Sequence, residues 1–220
     1  MQPDRAVLFD LDGTLVDTER ENVESVARAV RRWQVELGPD MRRFIVGHSW
    51  NEIYARLRRE HGLKVEMDEL IAAAVEEKRA LFATRGYEAL PGAATLVRRL
   101  RGRVRLAIVS GSSRVEVRET IAGIGLTDCF ACLLGAEAYG QGKPHPEPYL
   151  TAMRLLGVEP GRSVVIEDSE PGIRSGRAAG AKVIAIRRAN FMGYDQSAAD
   201  VVLDTLEQVS DELLDRLWRR

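Results

Sequence analysis

The sequence predicts an α/β protein in which a doubly wound, Rossmann-like parallel sheet carries an inserted all-helical domain. Short apolar, β-branched segments alternate with segments whose apolar residues recur at helical spacing. This alternation is typical of a parallel sheet that is covered by helices on both faces. It is interrupted once, because residues 11–103 contain no strand candidate. The fold class therefore follows from one repeated pattern and one gap in that pattern.

Six segments are predicted to form the strands. Each is apolar, lacks a polar–apolar alternation and is bounded by turn residues. They are AVLFD (6–10), VRLAIV (104–109), CFACLLG (129–135), SVVIED (163–168), KVIAI (182–186) and the weaker DVVL (200–203). Helical stripes fall between them, at Ala93, Leu96, Val97 and Leu100, at Val117, Ile121 and Ile124, at Tyr149, Met153 and Leu156, and at Leu206, Val209, Leu213 and Leu217.

The gap is predicted to be a helical domain of residues 17–88, inserted into a core of residues 1–16 and 89–220. Its apolar residues follow helical spacing, and Thr18-x-x-Glu21 and Ser49-x-x-Glu52 match the capping-box pattern that opens helices. The insertion follows the carboxyl end of the first strand, and ligands bind at that end of the strands in open α/β sheets. We therefore expect the insertion to form a lid over that edge.

Charge and cysteine content narrow the classes of function. The 32 basic and 33 acidic residues give a net charge of -1, which provides no basic surface for nucleic acid or an anionic membrane. No apolar stretch is long enough to span a bilayer, and the N-terminus lacks the apolar core of a signal peptide. Cys129 and Cys132 form an isolated C-x-x-C without a second ligand pair, which favours reduced thiols in a cytoplasmic protein.

Four polar segments are predicted to follow strands at one edge of the sheet. They are DLDGT (10–14), VSGSS (109–113), GKPHPEPY (142–149) and IEDSEPG (166–172). Each segment alone also fits a turn or a helix cap, and Ser113-x-x-Glu116 matches a capping box. Their joint occurrence at one edge favours a functional site.

The residues of these segments suit phosphoryl transfer through an aspartyl-phosphate. Asp10, Asp12 and Asp168 would give Mg²⁺ the oxygen ligands that it prefers. The metal would offset the repulsion between a carboxylate nucleophile and an anionic phosphate. The phosphate oxygens would be met by donors at the same edge: Ser110, the amides around Gly111, and Lys143.

Competing motifs do not fit this sequence. GAEAYGQGKP departs from the spacing of a phosphate-binding P-loop, and Pro144 stands where metal binding needs Ser or Thr. No G-x-G-x-x-G follows the first strand, which argues against a dinucleotide cofactor. A serine-hydrolase elbow at Ser110 would need glycine two residues to either side, but Ile108 and Ser112 occupy those positions.

FDLDGTLVDTE (9–19) is a highly specific form of the first motif of the haloacid dehalogenase superfamily. Ser110, Lys143 and Glu167-Asp168 stand in the order of the other three motifs. The chain therefore resembles this superfamily over essentially its whole length. It is similar to the branch of β-phosphoglucomutase and phosphoglycolate phosphatase, which carries a helical cap after the first strand. The resemblance implies that Ser110 and Lys143 bind phosphate.

The resemblance also implies roles for the acidic residues. Asp10 would be the nucleophile that becomes phosphorylated, and Asp12 the general acid and base. The side chains of Asp10 and Asp168 and the backbone carbonyl of Asp12 would hold Mg²⁺, with Glu167 assisting nearby. The expected function is hydrolysis of a small phosphorylated metabolite by a cytoplasmic enzyme, monomeric or weakly dimeric.

The alternatives are a sugar phosphomutase, a dehalogenase and a non-catalytic binding module. A dehalogenase, in which Asp10 would attack carbon without a metal, lacks an acid/base at the position of Asp12. A binding module would be expected to have lost one of the four motifs, and all four are present. Mutases resembling this chain carry His and Arg at the positions of Asn22 and Trp50, so hydrolysis is favoured. Residues of the inserted domain are expected to choose the substrate: Glu19, Asn22, His48, Ser49 and Trp50.

Overall fold

The computed structural model describes residues 4–46, 48, 50–187 and 193–219; the side chain of Glu19 lies outside this description. The chain divides into two compact units. The core unit consists of Met1–Asp17 and Tyr87–Arg220, and the helical unit consists of Thr18–Gly86. Within the described residues, no helix is both long and apolar enough to cross a bilayer.

The core unit contains a parallel sheet, which confirms the predicted fold class. Its strands in the described residues are β1 (Ala6–Phe9), β2 (Arg105–Val109), β3 (Cys132–Leu134), β4 (Ser163–Glu167), β5 (Lys182–Ile186) and β6 (Val201–Leu203). Their spatial order is β3-β2-β1-β4-β5-β6, and every neighbouring pair is parallel. Each predicted strand segment contains one of these strands, so the alternation of apolar runs identified the sheet correctly.

Helices cover both faces of the sheet. In the core unit they are α5 (Ala93–Leu100), α6 (Arg114–Gly123), α7 (Glu147–Leu156), α8 (Glu170–Ala178) and α9 (Asp211–Trp218). Val7 and Phe9 of β1 pack in a cluster with α5, α6 and α9. Ala6 and Leu8, on the opposite face, pack in a second cluster with α7 and α8. Because both faces are buried, apolar residues occupy consecutive positions in the strands rather than alternate ones.

The helical unit has its own apolar core. It contains α1 (Glu19–Arg31), α2 (Pro39–Ile45), α3 (Trp50–His61) and α4 (Met67–Arg85). Buried residues of all four helices, such as Val30, Met41, Leu57 and Leu70, form a single cluster. This cluster lets the inserted segment pack as a compact unit of its own.

The predicted helix caps have different outcomes. Ser113 and Glu116 form the expected capping box at the start of α6. The box predicted at Thr18 is wrong, because Thr18 makes no side-chain capping hydrogen bond. The carboxylate of Glu21 instead accepts a hydrogen bond from the guanidinium of Arg85, at the end of α4. The third predicted box begins at Ser49, which lies outside the described residues.

Sheet register brings the predicted site residues to one edge. Phe9 at the end of β1 pairs with Ile108 of β2 and with Ile166 of β4. The N–H of Asp10 continues the ladder by donating to the Ile166 carbonyl at 3.0 Å. Because the strands are parallel, the residues that follow β1, β2 and β4 meet at their carboxyl ends.

The first turn of α8 packs tightly against the end of β4. A Cβ atom on Gly172 would lie 1.7 Å from Oε1 of Glu167, a fully buried side chain. Gly172→Ala should therefore lower the free energy of unfolding by about 3 kcal/mol, the scale of a forced overpacking. The matched control is Gly161→Ala, since a Cβ there meets no atom of the described residues within 4 Å. Urea unfolding of both variants checks this, and equal stabilities would contradict the packing.

Candidate active site

Three carboxylates lie together at the carboxyl edge of the sheet. Asp10, Glu167 and Asp168 are 8%, 0% and 4% exposed, and one oxygen from each lies within 4.8 Å of the others. When ionised they carry three negative charges, and such a cluster of hard oxygen donors suits a divalent cation. The residues present therefore fit the metal group that the sequence predicted.

Lys143 places an ammonium group against two of these carboxylates. Its Nζ atom donates to Oδ1 of Asp10 at 2.6 Å, to Oε1 of Glu167 at 2.6 Å and to the Val109 carbonyl at 3.0 Å. The charges of Asp10 and Glu167 raise the pKa of Lys143 well above its ordinary value, although burial opposes them. The ammonium form is therefore retained, and it offsets one of the three negative charges.

The pKa of the Asp10 carboxyl is strongly perturbed. Burial raises the pKa of Asp10 to about 8, with Lys143 opposing the rise and the charges of Glu167 and Asp12 adding to it. A proton and a cation therefore compete for the same carboxylate. A perturbed group of this kind, in a polar cluster at a ligand-binding edge, is typical of functional sites.

Two serine residues that follow β2 hold the carboxylate of Asp12. Its Oδ2 atom accepts hydrogen bonds from the hydroxyls of Ser110 at 3.1 Å and Ser112 at 2.9 Å. The Ser110 hydroxyl in turn accepts from the N–H of Ser112 at 3.0 Å. These contacts fix the Asp12 carboxylate two residues from Asp10, where a proton donor or acceptor can serve the reacting group.

Ser110 itself is anchored by backbone contacts. Its N–H donates to the Leu134 carbonyl at 3.0 Å, and its carbonyl accepts from the hydroxyl of Tyr139 at 2.7 Å. The next residue, Gly111, is exposed, and a Cβ there would meet no described atom within 4 Å. The predicted phosphate donors Ser110 and Gly111 thus lie in one turn after β2, beside Asp12.

Neighbouring residues position Asp168. The Thr14 hydroxyl donates to its Oδ1 atom at 2.8 Å. Gly13 has a φ of +82°, and a Cβ there would lie 2.6 Å from Oδ2 of Asp168, so glycine allows this close approach. The buried amide of Gln196 donates to the Asp168 carbonyl at 2.7 Å. Supporting contacts of this kind orient the ligands of metal sites.

The predicted substrate-selecting residues belong to the helical unit. Asn22 is half-buried in α1, and its carbonyl accepts from the Ser25 hydroxyl at 2.8 Å. Trp50 begins α3 and packs against the core of the unit. The His48 ring stacks on Phe44 with ring centroids 3.8 Å apart. The side chain of Glu19, and Ser49 as a whole, lie outside the described part of the chain, and the substrate role of all five stays a prediction.

Sequence reasoning missed several residues that touch the site, among them Thr14, Ser112, Tyr149 and Gln196. Thr14 and Ser112 lie inside the segments DLDGT and VSGSS, so a second polar residue in each motif was an available signal. Tyr149 was assigned to the apolar stripe of a helix, which accounts for its ring but not for its hydroxyl. Gln196 lies far from every motif, and nothing in its local sequence indicates its contact with Asp168.

The fold and this edge define a class: an α/β protein with a buried acidic group at the carboxyl ends of a parallel sheet. Residues 7–186 match the family model of the haloacid dehalogenase-like hydrolases. The crystal structure of CbbY from Rhodobacter sphaeroides in complex with phosphate superimposes with a TM-score of 0.88 at 26% identity, covering 96% of this chain and 99% of that one. The chain belongs to the haloacid dehalogenase-like hydrolases, and it is similar to their phosphoglucomutase and phosphoglycolate phosphatase branch.

Two relatives illustrate the range of the likeness. Hexitol phosphatase A of Escherichia coli is 36% identical over 211 residues, which cover 94% of this chain and 93% of that protein. The bifunctional riboflavin kinase/FMN phosphatase of Arabidopsis thaliana is 31% identical over 204 residues, or 91% of this chain. The match covers only 53% of the latter, so this chain spans about half of its length.

The affinity of the metal-free protein for a divalent cation should rise with pH between about 6 and 8. Because the pKa of Asp10 is raised to about 8, the cation has to displace a proton at pH 6, and the affinity should change by up to about tenfold per pH unit. Titration calorimetry with Mn²⁺ at three pH values checks this. Asp10→Asn is the control, since it has no proton to release; a wild-type affinity that does not vary with pH would contradict the expectation.

Proposed function

We propose that this protein is a Mg²⁺-dependent phosphatase that hydrolyses a small phosphorylated metabolite through an aspartyl-phosphate on Asp10. One observation carries the proposal. The Asp10 carboxylate lies in a group of three carboxylates that suits a cation, and it also contacts the ammonium of Lys143 at 2.6 Å. A buried nucleophile between two sources of positive charge is what attack on an anionic phosphate requires.

The acid and base steps are assigned to Asp12. An oxygen of Asp10 would attack phosphorus while the bond to the leaving oxygen breaks, and protonated Asp12 would give that oxygen its proton. Asp12, now ionised, would then take a proton from the water that attacks the aspartyl-phosphate, which releases phosphate and restores Asp10. The hydroxyls of Ser110 and Ser112 donate to Oδ2 of Asp12 and so orient its carboxylate.

Binding of the phosphate is assigned to Lys143, Ser110 and the amides around Gly111. Lys143 is a compact cation, and its position against Asp10 would let it compensate the charge of the transferred group. When bound, Mg²⁺ would offset the repulsion between the nucleophile and the phosphate. Asp10, Asp168 and the carbonyl of Asp12 would hold it.

The relatives support this class of substrate. A hexitol phosphatase and an FMN phosphatase are among the similar proteins, and a related CbbY was crystallised with phosphate. Phosphorylated hexitols are accordingly the first metabolites to screen, with and without Mg²⁺. We further propose a cytoplasmic location, consistent with the two free cysteines of the described chain. Small phosphorylated molecules, rather than macromolecules, are the proposed partners.

Asp10→Asn should fold normally. Its kcat for p-nitrophenyl phosphate should be lower than that of the wild type by at least about a hundredfold, because the amide is a far weaker nucleophile. Wild-type protein should be trapped at Asp10 by beryllofluoride, seen as loss of activity and as added density in a crystal. Asp128→Asn makes the same change at an exposed aspartate and should retain activity. More than a tenth of wild-type activity in Asp10→Asn, with deamidation excluded by mass spectrometry, would overturn the assignment.

The second candidate function, a sugar phosphomutase, is favoured by the structural match to that branch but not by the helical unit. A mutase has to return a phosphoryl group to its intermediate and hold a second phosphate. Asn22 has no ionisable ring, and Trp50 offers one N–H donor and no charge. We expect release of inorganic phosphate from a monophosphate without interconversion of hexose 1- and 6-phosphates. Formation of the 6-phosphate from a hexose 1-phosphate, accelerated by the bisphosphate, would reverse this choice.

A further inference from the structure

Both carboxylate oxygens of Glu167 are already occupied by donors from the chain. Oε1 accepts from the ammonium of Lys143 at 2.6 Å and from the hydroxyl of Tyr149 at 2.9 Å. Oε2 accepts from the N–H of Asp168 at 3.0 Å, and from the N–H and the hydroxyl of Ser169 at 3.1 and 3.0 Å. Two carboxylate oxygens offer about four acceptor positions, so five donors fill Glu167.

The burial of Glu167 makes these bonds costly to exchange. The residue is 0% exposed, and Gly172 packs so closely that a Cβ there would overlap the carboxylate. A metal ion at Glu167 would have to displace at least one of these donors, which would then lose its present partner. Asp10 and Asp168 belong to the same group of carboxylates, and they could bind a cation without displacing any donor of Glu167.

Tyr149 touches both members of the Lys143–Glu167 pair. Its side chain is fully buried in the cluster formed with α7 and α8. The hydroxyl bonds to Glu167, and the ring centroid lies 5.1 Å from Nζ of Lys143. Burial and the charge of Glu167 raise the pKa of Tyr149 well above its ordinary value, so the hydroxyl remains a donor. The ring and the hydroxyl together fix the position of the ion pair.

We propose that Glu167 is the buried counter-ion that holds Lys143 rather than a ligand of the metal, and that Tyr149 is a positioning residue acting through Glu167. The proposal rests on the proposed phosphatase function for the role of Lys143. Of the three bonds from Nζ, those to Glu167 and to the Val109 carbonyl anchor the ammonium. The third bond is donated to Asp10. When substrate binds, Nζ would exchange this bond for one to an oxygen of the transferred phosphate.

The metal part of the proposal is tested by Mn²⁺ titration calorimetry without substrate. Glu167→Gln keeps the shape of the side chain, and it should weaken Mn²⁺ binding only through the loss of one nearby charge. Asp168→Asn loses the same charge and a proposed ligand as well, so it should weaken Mn²⁺ binding about tenfold more than Glu167→Gln does. Equal weakening in the two variants would overturn the assignment of Glu167.

The positioning role is tested with Tyr149→Phe, which removes one hydroxyl and keeps the buried ring. We expect kcat for p-nitrophenyl phosphate to fall about tenfold, while the Mn²⁺ affinity and the melting curve of the fold stay close to wild type. Tyr54→Phe is the matched control, because it removes a hydroxyl that donates to the Val65 carbonyl at 2.8 Å within the helical unit. Its kcat should be unchanged.

A double-mutant cycle separates positioning from a general structural effect. If Tyr149 acts through Glu167, the loss caused by Tyr149→Phe should largely disappear in the Glu167→Gln background. The same tenfold loss in both backgrounds would overturn the proposal. If Glu167→Gln does not fold, Tyr149→Phe alone decides: an Mn²⁺ affinity that falls in step with kcat contradicts the proposal, and an unchanged affinity supports it.

Phosphatase activity and Mn²⁺ binding are measured separately, so the role of Glu167 can be tested whatever the activity is. A wild-type protein that hydrolyses no phosphomonoester would overturn the phosphatase proposal, whereas the Mn²⁺ comparison of Glu167→Gln with Asp168→Asn would still decide whether Glu167 is a ligand. An active wild type in which those two variants bind Mn²⁺ equally weakly would overturn the inference alone.

Discussion

The candidate site depends on the ammonium group of Lys143. Carboxylates buried at one sheet edge repel each other and lose their hydration, and both effects oppose their ionisation. Lys143 contacts Asp10 and Glu167 at 2.6 Å each. Its positive charge offsets the repulsion between the carboxylates and favours their ionised forms. Removing one partner from a buried ion pair costs about 3–5 kcal/mol, because the other charge is left uncompensated. The residue proposed to bind phosphate is therefore also the residue that allows the nucleophile to be buried.

The parallel sheet supplies the geometry in which this compensation works. Phe9, Ile108 and Ile166 are register partners in three adjacent strands, so Asp10, Ser110 and Glu167 emerge within one or two residues of the same line. Lys143 comes from a loop before α7 and reaches this line by bonding to the Val109 carbonyl at the end of β2. The backbone carbonyl at the end of β2 thus helps to hold the Lys143 ammonium beside the carboxylates that follow β1 and β4.

The sequence predicted the sheet and the edge at which its polar segments meet, because both depend on local patterns. Continuous apolar runs identify strands that are buried on both faces, and motifs at their ends identify the edge. Contacts made between distant segments were not predictable. Glu21 matched a capping box but pairs with Arg85 of another helix, and tertiary contacts override such local preferences. The ring of Tyr149 was correctly placed in the core, but the target of its hydroxyl depends on how α7 packs against β4.

The polar groups of the site satisfy one another, and this bears on how it would act. Lys143 uses three donor contacts, Glu167 is filled by five donors, and one oxygen of Asp12 is shared by two serine hydroxyls. A phosphate that enters has to exchange with such internal bonds rather than add to unpaired groups. The donors are already oriented by their present partners, so the exchange requires little reorganisation. Fixed dipoles and charges stabilise a transition state most effectively under this condition. Under the proposed mechanism, the buried bonds at Glu167 would stay in place. The bonds at the Asp10 and Asp12 side chains would be the ones that change.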